Sequence, residues 1–440
     1  MNNMFYFLRF PIGLWMFGFS FSATFSQVMW FRIGGAAVTV LLMVVAMFLC
    51  RGRECRRGFW ADMQKTAMPN NCILILLTLY YIMVVISWFH APYEVKYEEW
   101  SFIWKQHVMD ILEIMVVFYL CQNPRRIRLM LWLCFVANLI QFAIFKGASD
   151  YYGIAEARGF LGEAGNGALG RSTNWQTVVM FALAFAGYLM TEQNKILKII
   201  GFSGLSVFPY FILKAGFATP VLLGFMGCIV TGYVYLRYGN RTKTPALVRL
   251  FFLFGIVVIV VAAFFWIANR VNTGESEGMS IAIRFADMLE SRNAPGAQES
   301  SYGYSRTKLM LHGLNSFIES PIFGKGGPFP SATSIVAHDH QAVTDYLAHF
   351  GLIGGGSFIA FVIICISYTI KRYKIHQTWQ DAAAVGVVAI FLLGGVFNPM
   401  WYSSPLQCML IFCLPFKTKE MYSLTGDPAY PQMPVMKVWG

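Results

Sequence analysis

Apolar runs of about twenty residues recur along this chain, and no other feature restricts its fold so tightly. Hydrocarbon offers the backbone no hydrogen bonds, so a segment that crosses it must satisfy its own N–H and C=O groups. A single apolar run of that length does so as an α-helix. About twelve runs can be marked, near 5–25, 33–50, 70–90, 103–121, 129–146, 175–190, 196–213, 218–236, 250–268, 346–369, 382–398 and 404–416. The expectation is an all-α polytopic membrane protein with about twelve transmembrane helices. Composition agrees: 57% of residues are hydrophobic and only 13% charged, about half the charged share of a soluble domain.

The charges that remain are patterned. A net charge of +12 invites a nucleic-acid reading, but Lys and Arg sit in short clusters between apolar runs. Arg51, Arg53, Arg56, Arg57 and Lys65 follow the second run, and Arg125, Arg126 and Arg128 the fourth. Arg237, Arg241, Lys243 and Arg249 follow the eighth, and Lys371, Arg372 and Lys374 the tenth. All fall on one side of a twelve-span bundle, the cytoplasmic side by the positive-inside rule, with both termini inside. That pattern accounts for the charge, and no nucleic-acid partner is expected. The loop 91–107, with Glu94, Glu98 and Glu99, then faces the exterior. The nine Cys lie in apolar runs or cytoplasmic turns, with neither zinc-site spacing nor a secreted disulfide framework. The N-terminus lacks a basic start and a cleavage site, so it reads as a first span. Residues 1–268 are thus expected to form a transmembrane bundle of about nine spans and 269–345 a long exterior loop. Residues 346–416 would supply the last three spans, and 417–440, with Pro428, Pro431 and Pro434, a cytoplasmic tail.

Three exterior segments carry the polar chemistry. Residues 147–174 are Gly-rich and include Arg158 and Arg171; a short turn follows at Lys214-Ala215-Gly216. The third, 269–345, is far longer than the 12–15 residues or so beyond which loops are usually functional or disordered. Its part Thr273–Ser301 is polar and reads as a lid or strap, while Ser305–Gly355 concentrates reactive side chains. Ser305 reads as the N-cap of a short amphipathic helix, with Arg306 in its first turn and Leu311, Leu314 and Ile318 on one face. Pro321 ends that helix, and Gly324, Gly326 and Gly327 make a loop. His338-Asp339-His340 then leads into an apolar run that re-enters the membrane.

Arg keeps its charge in every environment and grips phosphate through two parallel hydrogen bonds, which makes Arg306 the leading anion-binding residue. The competing role for such an Arg is snorkelling to lipid headgroups. Arg158, Arg171, Lys214, Arg284 and Lys325 are surface charges individually. With Arg306 they would make the electropositive cavity that a diphosphate requires. His338 and His340 stand at the mouth of a span, and an imidazole is largely neutral near pH 7, fit for a base or an anion ligand. The HxH pair is half a metal site, but no third and fourth ligand accompany it, so no metal is expected. His340 and Thr344 are spaced i, i+4, as are Asp345 and His349; Asp345 either orients an imidazole or caps a polar stripe. There is no Walker, Rossmann or HExxH motif, and no cofactor is expected.

Arg306, Leu309-Met310, Gly313, Phe317 and then Ser320-Pro321-Ile322-Phe323-Gly324-Lys325-Gly326 resemble the R…LW…F…PLFGxG pattern of the O-antigen polymerase and ligase superfamily. His340, eleven residues before Gly351 in GLIGG, is similar to that family's HN…E-x-GLIG element. Gln341 stands where the family commonly has Asn, and Asp339 precedes the His. Arg158, Arg171 and Asn174 are similar to a family segment reading RxxG…NxN before a helix. Where the family has an SRG element whose Arg binds phosphate, this chain has Lys214-Ala215-Gly216-Phe217. The likeness is specific over about 305–360. It implies a GT-C-like membrane glycosyltransferase architecture with one long periplasmic loop, in the bacterial inner membrane. It also implies an undecaprenyl-diphosphate-linked glycan as substrate, chemistry without a metal, and an active site facing the periplasm.

Residues and resemblance together give the expectation of a polysaccharide polymerase that joins lipid-linked repeats by inverting glycosyl transfer. The lipid diphosphate leaves readily, so catalysis needs positioning and charge stabilisation rather than covalent chemistry. Arg306 would hold the diphosphate with Arg171, Lys214, Arg284 and His338, while Arg158, Lys325 and Asp345 support them. His340 is either the base towards the acceptor hydroxyl or a further diphosphate ligand. The partners are the lipid-linked glycan, membrane lipid and, for a polymerase, a chain-length regulator. Two rivals stay open. An O-antigen ligase would pass the glycan to lipid A–core or another acceptor. A lipid-glycan flippase or transporter would show inverted repeats or charges at mid-membrane, where this chain offers little beyond Asp110 and Glu113.

Overall fold

A computed structural model describes residues 71–90, 124–152, 172–215, 218–238, 302–325, 342–397 and 409. Among these residues all regular structure is helical, in ten α-helices and one π-helical turn. They are α1 (Asn71–His90), α2 (Pro124–Tyr152), α3 (Ser172–Thr191), α4 (Lys195–Leu205), α5 (Val207–Lys214), α6 (Ala218–Tyr238) and α7 (Tyr302–Glu319). Then come α8 (Ala342–Gly351), the π turn (Leu352–Gly356), α9 (Ser357–His376) and α10 (Trp379–Phe397). The apolar runs near 70–90, 129–146, 175–190, 196–213, 218–236, 346–369 and 382–398 each fall on these helices. Five segments are long and apolar enough to cross a membrane: Leu131–Tyr151, Lys195–Lys214, Thr219–Arg237, Ala342–Lys374 and Trp379–Val396. Ile75–Ser87 and Trp175–Thr191 are shorter apolar helices. The chain is a helical membrane protein. The runs near 5–25, 33–50, 103–121 and 250–268 lie outside the described residues, as do 404–416 apart from Met409, the segment Thr273–Ser301 and the C-terminal tail.

Lipid removes the hydrophobic drive between helices, so close backbone approach and shape must hold them together. Small residues supply the approach at the junction of α3, α6 and α10. A methyl group at Gly187 would lie 2.4 Å from the Ala383 side chain, one at Gly224 2.7 Å from Val179, and one at Gly386 2.1 Å from the Thr231 hydroxyl. Helices α3 and α6 run in one direction and α10 against both. Aromatic rings join α2, α3 and α5. Phe142 stacks on Trp175 and on Phe211, Phe135 on Phe208, and Trp132 meets Phe185 edge-on. The interruption between α4 and α5 has a local cause, since Pro209 has no N–H to return to the Leu205 carbonyl.

One end of the bundle is bound by polar groups. Arg372 of α9 pairs with Asp381 of α10 at 2.6 Å, and both are buried. The Tyr235 ring stacks on Trp379 at 3.6 Å, and the Tyr373 hydroxyl donates to the Tyr235 carbonyl at 3.3 Å. Thr378 caps α10, accepting from the Asp381 N–H at 3.1 Å and donating to the Asp381 carboxylate at 2.7 Å. Arg237, Lys371 and Lys374 lie at this end as well.

Towards the opposite end the span Ala342–Lys374 is broken. Gly351 adopts φ 61° and ψ −165°, a conformation open in practice to glycine alone. A break exposes the last carbonyls of one helix and the first N–H groups of the next. The loop behind α7 satisfies them. The Lys325 N–H donates to the Ala348 carbonyl at 2.8 Å, the Leu352 N–H to the Pro321 carbonyl at 2.8 Å, and the Ile353 N–H to the Ile322 carbonyl at 3.2 Å. The loop is closed by the Gly324 N–H to the Ser320 carbonyl and by the Ser320 hydroxyl to the Gly324 carbonyl, both at 2.9 Å. Gly324 has φ 73°, and a Cβ there would lie 2.3 Å from the His349 carbonyl oxygen; a Cβ on Gly351 would lie 2.3 Å from that of Ile322.

One expectation about α7 needs correcting. The helix begins at Tyr302, so Ser305 lies inside its first turn rather than at the N-cap, and Arg306 sits further in than expected. A Ser marks an N-cap only where the residues before it leave the helix, and Tyr302-Gly303-Tyr304 continue it. Pro321 does bound the other end, which falls at Glu319. The face that packs is the one with small residues. Leu311, Leu314 and Ile318 are 48%, 41% and 64% exposed, while Gly313 and Ser316 are buried and Gly313 approaches Thr344 of α8.

Gly324→Ala and Gly351→Ala should each cost at least about 1–3 kcal/mol through forced left-handed backbone and a clash with a carbonyl. Gly356→Ala, whose new methyl would meet only Leu352 at 3.8 Å, should leave stability unchanged. Thermal unfolding of the purified protein, followed by size exclusion, reads the difference.

Candidate functional site

Helix α7, the loop Ser320–Lys325 and helix α8 form one bonded unit at the broken end of the bundle. Arg306 lies on α7, two turns before the residue that touches Thr344. Lys325 seals the end of α8 with its backbone N–H, and its ammonium pairs with Glu319. Asp345 and His349 stand on successive turns of α8 and are buried, 8% and 6% exposed. Asp345 lies in the first turn and His349 in the last, where the helix macrodipole favours a negative and a positive charge respectively. Behind them Tyr346 stacks on the buried Tyr80 of α1 at 5.5 Å, and both rings lean on Phe358 at 4.8 Å. Aromatic packing on that side fixes the rotation of α8 and hence the direction of its polar residues.

Lys214 ends α5 at the same end of the bundle. One turn earlier Phe211 stacks on Phe142, which stacks on Trp175 at the start of α3. The Lys214 ammonium is 3.6 Å from the Asp150 carboxylate, which Lys146 also holds, and 6.0 Å from the centre of the Tyr210 ring. Lys214 therefore answers a carboxylate already, and its charge is shared before any anion arrives. Arg158, Arg171, Arg284, His338 and His340 lie outside the described residues. The structure thus joins Lys325, Asp345 and the helix of Arg306 in one unit. It sets Lys214 with Asp150 on a different pair of helices at the same end.

A search for charges passed over the buried amides. Asn138, Gln141 and Gln176 are fully buried. Asn138 donates to the Cys134 carbonyl at 2.8 Å, and neither polar atom of the Gln176 amide has a hydrogen-bond partner. A polar group inside a membrane bundle is costly and marks a site of interest. The legible signal was an amide inside an apolar run, at 138 and 141 in the run 129–146 and at 176 where the run 175–190 begins. Among the described residues no three His, Cys, Asp or Glu side chains converge to hold a metal ion. The unit sets a buried carboxylate and imidazole beside a loop whose Lys325 is paired with Glu319.

No protein-family model matches this chain, and no curated protein matches it. The site therefore stands on its own residues.

Gln176→Met keeps the side-chain length and removes two unsatisfied buried atoms, so it should stabilise the fold by about 1–3 kcal/mol. Gln176→Glu should destabilise it by burying a charge. Paired thermal melts in one detergent check both.

Proposed function

We propose that the chain is a polysaccharide polymerase of the bacterial inner membrane, with about twelve spans in a GT-C-like arrangement. It extends a glycan carried on undecaprenyl diphosphate. The observation that best supports this reading is the bonding of Ser320–Lys325 to the Gly351 break. Those are the two glycine-bearing segments on which the resemblance to O-antigen polymerases and ligases rests. Two stretches far apart in sequence build one structure, and the helix of Arg306 is part of it. Arg237, Lys371, Arg372 and Lys374 at the opposite end support a cytoplasmic assignment for that end and a periplasmic one for the break.

In this mechanism the hydroxyl of the acceptor sugar forms a bond to the anomeric carbon of the donor. The bond from that carbon to the diphosphate oxygen breaks, with inversion, and the lipid diphosphate departs with the electron pair. His340 takes the hydroxyl proton. Arg306 stabilises the charge growing on the diphosphate, assisted by Arg171, Lys214 and Arg284. The good leaving group makes this electrostatic term the principal contribution. Lys325 and Asp345 position the loop and α8, and no metal takes part.

Arg306→Ala and His340→Ala should each lower the rate by about 10²–10³ while leaving the protein inserted in the membrane. The assay supplies a purified lipid-linked repeat as sole substrate and reads the products on a gel. A ladder made by the wild-type chain marks a polymerase. Transfer only after lipid A–core is added marks a ligase, and no product in either case refutes the glycosyltransferase reading. Chelation with EDTA should leave the ladder unchanged.

A further inference from the structure

Helix α7 turns an apolar stripe outward. Leu311, Leu314 and Ile318 recur at helical spacing, and the loop extends the stripe with Ile322 and Phe323, 54% and 58% exposed. Leu352, the first residue after the break, is 57% exposed beside them. Large apolar side chains in such a row need a partner other than water.

The depth of this row follows from the backbone. Leu352 and Ile353 donate to the Pro321 and Ile322 carbonyls, so the loop tip is pinned level with the start of the span. From Leu352 the span descends to Arg372, about 30 Å at helical rise, which is about the thickness of the hydrocarbon layer. Arg372, flanked by Lys371 and Lys374, marks one boundary of that layer, so the loop tip lies at the other. Below the break the same span exposes Ile363 and Ile370 to the bilayer. At the level of the tip, Glu319 and Lys325 neutralise each other. The stripe is therefore continuous with the exposed apolar face of the span, and among the described side chains the charges at its tip are paired.

We infer that the outward face of α7 and the tip Ile322–Phe323 are seated in the bilayer, at the boundary between acyl chains and headgroups opposite Arg372. Residues 302–325 then form a membrane-embedded wedge rather than an aqueous connector. The partner is the lipid surface itself, and the inference holds whatever reaction the protein performs.

The test places an environment-sensitive fluorescent amino acid at Phe323, and separately at Ile318, in the full chain reconstituted into phosphatidylcholine nanodiscs. Ile363 serves as the reference within a span. Acyl-brominated lipid should quench Phe323 and Ile318 probes at least about half as strongly as the Ile363 probe, with little quenching by iodide. Quenching by iodide alone would place the stripe in water and overturn the inference. Protection from both quenchers would show a protein cover, a second copy of the chain included, and would overturn it equally. A probe at Ile322 replaces Phe323 if the latter lowers the yield of folded protein.

Discussion

Three backbone hydrogen bonds between the loop behind α7 and the split span let a transmembrane segment break without leaving its own backbone unpaired. A break in a span exposes carbonyl and amide groups, and lipid tails offer them nothing. Here a loop distant in sequence supplies the missing donors and acceptors. Glycine is required on both sides of the junction, at 324 and 351, because each backbone passes where the other's Cβ would stand. The arrangement fixes the position of α8, and with it Asp345 and His349, more rigidly than side-chain contacts alone would.

The two ends of the bundle are built on different principles. At the Arg372 end a buried ion pair, a stacked Tyr–Trp pair and a capped helix start join α6, α9 and α10. Breaking such a buried pair leaves a charge without its counterpart, which ties these helices together at one level. At the other end main-chain bonds and glycines do the joining. Between them lies an aromatic column, Phe135, Phe142, Phe208 and Phe211 with Trp175, whose flat rings fill the space between α2, α3 and α5. Both ends are thus tied, one by side chains and the other by main chain, and the polar residues Asp345 and His349 at the broken end are buried.

How much of this could be read in advance depends on the scale of the signal. The spans near 129–146, 196–213 and 218–236 were legible because a run of apolar residues has only one way to cross lipid. The Pro321 stop and the glycine turn at 324 were legible as punctuation, whereas the break at Gly351 fell inside a run, 346–369, that reads as one continuous span. That loop and break bond to each other was not legible, because pairing between distant backbones leaves no local periodicity. Helical spacing marked Leu311, Leu314 and Ile318 as one face of α7 but not which way that face turns; Gly313 packs on Thr344 and the large side chains are exposed. Lys214 showed as a cation in the sequence, while its tie to Asp150 needed three dimensions. Gln176 escaped notice because an amide carries no charge, although its burial is as telling as that of Asp345.

The loop that completes the split span is also earlier in the chain. Residues 320–325 leave the ribosome before Gly351 does, so the groups that will receive the severed helix are waiting when it arrives. Insertion can treat Ala342–Lys374 as one apolar stretch and leave the fracture to form afterwards, against a template already laid down. In order of synthesis, then, α7 and its loop precede the segment whose backbone they complete.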